Sequence, residues 1–397
     1  MKATLLYIYA LLAALTLGAC SDNYLDTESN DAEKRLILSN TSNIAMAVNG
    51  LSKMMSTQYL SSQGMNGEGA ILTLYGNYHG NDFQKCDLTG WVQMTNLDFV
   101  ENSTSIYDYY PWYYYYKILG NANAIINNVD AATGPDNEKR FLKAQALTFR
   151  AYCFFRLSQV YSKRWSDSNN GASRGVVLRL DESTGNMAVS TLAETYARIY
   201  QDLDDALALY AESKLNRDED ENYAVNADVA HAIYARAALT REDWAVAASH
   251  AASARANYTL MNNAQYVNGG FNAPNKEWIW SVYSNAQETL YFYQFFANQG
   301  SNSNAALARN YPCAISKELY DSIPTTDVRR AMFLNPDTMT FNTSSGLAGK
   351  WMTAYAKRVY KKKLYSTSRI YAYMQFKMQA VSNPGVGEIP LFRAAEM

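Results

Sequence analysis

The sequence predicts a mainly α-helical protein, with a tetratricopeptide-like helical base overlaid by an irregular, loop-rich layer and few short strands. Three observations predict it. Apolar residues recur at steps of four and three within Asp136 to Tyr161 (Leu142, Ala146, Phe149, Cys153, Leu157, Val160), which puts all six on one helical face. Two alanine-rich segments, Ala227 to Leu239 and Trp244 to Tyr258, flank a tight link from Thr240 to Asp243, and their small residues let two antiparallel helices approach closely. Two long stretches, Ser61 to Gly90 and Asn285 to Asn310, are aperiodic and rich in Asn and aromatic residues, the pattern of exposed loops that carry function.

The remaining elements follow in order. After a polar leader from Ser21 to Asp31, Ala32 to Met55 reads as a first helix with Leu36, Ile44, Val48 and Leu51 toward the core. An inserted loop region covers 61–106, and helix returns from Tyr107 to Val129. The run Tyr109 to Tyr116 suggests a sugar platform, but its place on a packing helix makes it core. Leu192 to Tyr210 is a helix presenting Tyr196, Ile199, Leu203 and Ala206 on one face, opened by a capping box at Thr191 and Glu194. Ala238-Leu239, Trp244 and Ala248 loosely echo the tetratricopeptide consensus. Glu277 to Tyr283 alternates like a short strand.

With 48% hydrophobic and 18% charged residues the chain can bury a large core, as one large domain or two fused layers. A formal net charge of -2 excludes a nucleic-acid binder, which needs a basic stripe, and Lys361-Lys362-Lys363 is read as a solvated face. Residues 1–19 form a leader: Lys2, then a largely apolar Ala3 to Leu17, then Leu17-Gly18-Ala19-Cys20 before polar Ser21-Asp22-Asn23. That is a lipoprotein processing site, with Cys20 the lipidated first residue of a protein anchored to a membrane but not spanning it. Cys86, Cys153 and Cys313 remain, an odd and widely spaced set that forms no disulfide framework.

Several motifs, in order along residues 20–397, carry a family resemblance. Cys20-Ser21-Asp22-Asn23-Tyr24-Leu25-Asp26 opens it. Trp112, Tyr116, Leu119, Ala122 and Asn123 lie on one helix, and Ala144 with Phe149-Arg150-Ala151-Tyr152 on the next. Tyr196 to Ala206, Asn275-Lys276-Glu277, Leu319-Tyr320 and Asp327-Val328-Arg329-Arg330 follow. The chain resembles the SusD/RagB family of Bacteroidetes outer-membrane lipoproteins. The resemblance implies a helical base over 20–270 that packs on a SusC-like TonB-dependent outer-membrane transporter, and an irregular ligand-side region over 271–388. It implies a lid that delivers oligosaccharide, or peptide, without breaking a bond, needs no cofactor, and acts at the cell surface. Glu388 to Met397 looks like the opening of the family's last helical pair, so 389–397 is expected to start a truncated pair, with a helix from Pro390 of only about two turns. An apolar face of the base would then be bare and the 397-residue product aggregation-prone, and a cooperative monomeric melt would count against that.

The 32 Tyr, 14 Phe and 7 Trp supply both core and sugar platforms. Aromatics of the irregular segments are free of helix packing, so the ligand candidates are Tyr75, Tyr78, His79, Asp82 and Trp91, with Tyr291, Tyr293 and Phe295; Trp91, beside Gly90, leads them. Family members that bind glycans resemble this plan, and the Asn-rich loops favour glycan over peptide. A glycoside hydrolase needs two carboxylates set across a sugar, for which Asp82, Asp87 and Asp98 are the nearest set, but their spacing in space cannot be read from sequence. Zinc chemistry has only His79, His231 and His250 and no His-Glu-x-x-His helix, and no Gly-x-Ser-x-Gly elbow marks a nucleophile. No catalytic or metal residue is assigned. A purely structural scaffold is the remaining alternative.

Overall fold

A computed structural model describes residues 38–60, 65–76, 83–85, 97–100, 102–267, 271, 274–283, 313–315, 317–334, 371–373 and 388–397. Helix α1 spans Thr41–Met54 and buries Ile44, Val48 and Leu51 as their spacing predicts. It does not run on from Ala32. Leu38 to Asn40 are turn and bridge, and the Asn40 side chain accepts the Asn43 N–H at 2.9 Å, an N-cap that fixes the start. Leu36 lies outside the described residues.

The region expected as loop from Ser61 contains structure. Gly67–Ala70 form α2, continued by a π-helical turn over Ile71–Gly76, and Met65, Ala70, Ile71 and Leu74 are buried. So short an element shows no periodicity, which is why the sequence reads as irregular. Gly67 has φ +49°, and a Cβ there would lie 2.0 Å from the Met55 carbonyl oxygen, so the chain can pass the end of α1 this closely only with glycine. The Glu68 side chain is wholly buried behind it. Its carboxylate accepts from Tyr152 at 2.7 Å, from Tyr115 at 3.0 Å and from Tyr114 at 3.2 Å, with Arg156 Nε at 3.6 Å. Burial pushes all three tyrosine hydroxyls well above the ordinary tyrosine value, so they stay neutral donors.

Helix α3 spans Ile106–Asn128, and α4 spans Asp136–Tyr161 as predicted. Tyr110, Tyr114 and Tyr115 of the tyrosine run are fully buried, in keeping with its reading as core. Helix α4 is not amphipathic. Besides five of the six stripe residues it buries Ala144, Leu147, Ala151, Tyr152, Phe154 and Phe155, because both α3 and α5 (Leu192–Ser213) pack against it. The predicted capping box is present: Thr191 accepts the Glu194 N–H, and the Glu194 carboxylate accepts the Thr191 N–H at 2.7 Å.

Helices α6 (Ala227–Thr240) and α7 (Trp244–Arg255) form the alanine-lined pair, with Ala230, Ala237, Ala238, Ala247 and Ala254 buried. His231 and His250 face each other across it with their Nδ1 atoms 2.8 Å apart, and Tyr234 stacks on His250 at 3.8 Å. One ring must donate and the other accept, so both cannot hold a proton at Nδ1 together. Burial lowers both histidines below their ordinary value; His250 adds to this for His231, while Asp228 beside His231 and Asp204 beside His250 oppose it. A lowered histidine pKa means that the unfolded chain binds more protons. This contribution to stability is therefore complete above the ordinary histidine value of about 6.5 and is lost as pH falls from there toward the depressed folded values. Between about pH 7.5 and 5.5 the melting temperature of the native protein should drop more than that of a His250→Gln variant; equal drops would show the pair to be inert.

The first strand, β1, is Phe83–Lys85. Strand β2, Trp278–Val282, is buried on both faces, so the alternation expected there does not reflect a wet side. Trp280 sits edge-on to Phe149 and Tyr152 and stacks on Phe392. Its partner is Ile389–Arg393, antiparallel, with Trp280 opposite Phe392 and Val282 opposite Ile389. This corrects the helix expected to start near Pro390. Proline holds the preceding Ile389 in extended backbone, and Ile389, Leu391 and Phe392 gain more by covering β2. Arg236 of α6 fastens the strand, its guanidinium 3.6 Å from the Phe392 ring centre and donating to the Leu391 carbonyl at 2.8 Å. Arg393 pairs with the buried Glu277 at 2.8 Å.

The short strands Phe83–Lys85, Cys313–Ile315, Phe333–Leu334 and Tyr371–Tyr373 form one antiparallel sheet in the order first, second, fourth, third. It brings the segment after α2 beside the second half of the chain. Among the described residues no helix is long and apolar enough to cross a membrane.

Candidate functional site

Of the candidate ligand residues, Tyr75 alone is described; Tyr78, His79, Asp82, Trp91, Tyr291, Tyr293 and Phe295, like Cys20, lie outside the described residues. Tyr75 is half-buried and has a task in the fold. Pro111 lies inside α3 without an N–H, so the Tyr107 carbonyl one turn earlier lacks its helical donor. The Tyr75 hydroxyl donates to that carbonyl. One residue on, the Trp112 N–H donates to the Tyr161 hydroxyl at 3.0 Å, and Tyr161 in turn donates to the Asp108 carbonyl at 2.6 Å. Two tyrosine hydroxyls thus replace the ladder bonds that proline disturbs. Tyr75→Phe should cost about 1–2 kcal/mol in a denaturant titration, and a loss near zero would mean that the carbonyl is satisfied otherwise.

Asp98 is exposed, and Asp82 and Asp87 lie outside the described residues. His231 and His250 are paired with each other, and among the described residues no group of three or more His, Cys, Asp or Glu side chains is placed to hold a metal ion. Cys153 is buried in the core of α4.

One polar concavity among the described residues was not foreseen. A cleft of about 790 Å³, within the usual range for ligand sites, lies between the loop from α5 to α6, the end of α7 and the approach to β2. Its inner wall is set by bonds already made. Arg217 donates to the Ile279 carbonyl at 2.7 Å, to the Tyr258 hydroxyl at 3.2 Å and to the Ala224 carbonyl. Asn222 donates to the Trp278 carbonyl at 2.8 Å. Asn226 caps α6 through the Val229 N–H at 3.1 Å and donates to Asn216 at 3.0 Å. Tyr258 donates to Asp228 at 3.2 Å, and burial pushes its hydroxyl up to about 12. The outer rim, Asp218, Glu219, Asp220, Asn257, Thr259 and Lys276, is exposed. The signal available in the sequence was the polar run from Asn216 to Asn222, but its partners lie some forty to sixty residues away.

A second, apolar groove of about 270 Å³ lies on the pair α6 and α7, where Leu239 and Trp244 are exposed beside Ala248 and Met397. Trp244 keeps its place in the tetratricopeptide-like pattern but not the burial that pattern would give it.

A helical base with α4 at its centre, a paired α6 and α7, and a small strand layer above is a SusD-like fold. A model of the SusD-like family described as "Starch-binding associating with outer membrane" matches residues 23–239, more than half of the chain. The chain belongs to this family. No curated protein matches it. Among solved structures, a SusD-like carbohydrate binding protein from Bacteroides vulgatus superposes with a TM-score of 0.73 at 21% identity, over 90% of this chain and 70% of its own. A laminarin binding SusD-like protein gives 0.65 at 15% identity over 90% and 78%. Surface glycan-binding protein A from Bacteroides fluxus gives 0.64 at 15% over 90% and 74%.

Proposed function

We propose that this protein is a lipid-anchored outer-membrane protein that captures an oligosaccharide and hands it to a TonB-dependent transporter, without catalysis. The family match over residues 23–239 carries this reading. The names of two structural relatives, a laminarin binding SusD-like protein and a surface glycan-binding protein, support sugar over peptide. Cys20 provides the anchor, since it follows a short apolar leader and a small-residue pair. Trp91 remains the leading aromatic platform for the ligand.

Isothermal titration against neutral and charged oligosaccharides and against peptides tests the ligand class; binding to peptides alone would sink the glycan reading. Trp91→Ala should weaken glycan binding about tenfold or more with an unchanged melt, and unchanged affinity would remove Trp91 from the site. Pull-down from outer membranes should recover a large barrel protein together with a chain whose mass includes acylation at Cys20.

A further inference from the structure

Between the α5–α6 loop and the approach to β2, a rigid polar wall faces an exposed rim of mixed hydrogen-bonding groups. We infer that this cleft, whose lining includes none of the ligand candidates named from the sequence, is a further ligand contact, and that it takes a neutral or amino-substituted oligosaccharide segment and turns away uronate or sulfated ones. The inference rests on the glycan-binding reading above.

Three observations carry it. The first is size and shape: about 790 Å³ is open to solvent along one side, room for a few pyranose rings of a longer chain. The second is preorganisation. Arg217, Asn222 and Asn226 spend their hydrogen bonds on Ile279, Trp278, Val229 and Asn216, so the wall does not have to order when a ligand arrives. The third is the chemistry of the rim. Asn257 and Thr259 supply donors and acceptors, and Asp218 and Asp220 supply carboxylate oxygens that accept from pairs of hydroxyls.

Charge then decides the class. The lining holds four carboxylates, Asp218, Glu219, Asp220 and Asp228, against two cations, Arg217 and Lys276. The guanidinium of Arg217 is already turned onto backbone carbonyls and Tyr258, which leaves Lys276, among the described lining residues, as the rim cation for an anionic sugar. A uronate or sulfate entering here meets a net negative field, and a neutral or amino sugar does not.

The test is titration of the full-length protein with neutral, amino-substituted and uronate-containing oligosaccharides of equal length. The double variant Asp218→Asn, Asp220→Asn and the double variant Asn257→Ala, Thr259→Ala are compared with the native protein. These rim positions are exposed, so melting temperatures should not move. The native protein should bind the neutral chain, with little change between about 20 and 150 mM salt, and should bind the uronate chain at least about tenfold more weakly. The Asn257 and Thr259 variant should lose about tenfold for the neutral chain. The Asp218 and Asp220 variant should narrow the gap between neutral and uronate chains. If the native protein binds neutral glycan and neither variant changes affinity, the cleft is not a contact and the glycan reading stands. If Trp91→Ala abolishes binding of every chain, the cleft adds nothing by itself. Preference for the uronate chain overturns the charge argument, and binding of no sugar at all overturns the underlying reading as well.

Discussion

Glu68→Ala should destabilise the protein by about 3–5 kcal/mol, measured by urea unfolding followed by far-ultraviolet circular dichroism. Glu68 is fully buried, and removing it leaves the hydroxyls of Tyr114, Tyr115 and Tyr152 without their acceptor and Arg156 without its carboxylate around an empty space. Each buried group left without a partner costs about 1–3 kcal/mol, more for a charge, and partial relaxation toward Tyr115, which already accepts from Arg156 Nε at 3.2 Å, recovers some of it. Glu68→Gln keeps an acceptor and the shape, so it should lose less than the alanine variant. The effect should appear first as release of residues 65–76 from the base, seen as faster amide exchange there than in α5. A loss under about 1 kcal/mol for the alanine variant would show that water replaces the carboxylate without cost.

Asp202→Ala should be of similar severity, about 3–5 kcal/mol, for a related reason. Arg150 grips Asp202 with two bonds, at 2.9 Å and 2.6 Å, and its third reaches Asn123 at 3.1 Å. Asn123 then donates to the carbonyls of Arg179 at 3.0 Å and Asp181 at 2.9 Å, and Arg198 also donates to Asp202. One network therefore ties α3, α4, α5 and the loop that follows α4. Alanine at position 202 leaves the buried Arg150 charge uncompensated. The double variant Arg150→Met, Asp202→Ala should lose less than the sum of the two single changes, because an apolar pair leaves no orphaned charge. Strict additivity would mean that the two side chains do not act as a unit.

Asn123, Arg150 and Asp202 were all visible in the sequence as members of separate motifs on three helices. Their meeting was not. Helix periodicity reports which residues share a face of one element, but it says nothing about the partner that face meets. The same limit explains α4, whose stripe was legible while the burial of its other sides depended on α3 and α5. It explains Glu68 too: a carboxylate in a glycine-rich stretch looks solvated until three tyrosines from two helices close over it. The cleft is a stronger case, since its walls come from three segments and the run from Asn216 to Asn222 carries no sign of which of them it will face.

Local chemistry determined a good deal by itself. The bounds of α4, the capping box at Thr191, the alanine-lined pair α6 and α7, and the core role of the tyrosine run follow from spacing and side-chain type, because those features are settled within a few turns of chain. Tertiary structure decided the rest. Tyr75 became a helix-repair group because Pro111 happened to lie beside it, and Ile389–Arg393 became a strand because Trp278–Val282 offered a buried edge worth more than two turns of isolated helix. Burial and hydrogen-bond satisfaction are properties of meetings between distant segments, so no single segment can announce them.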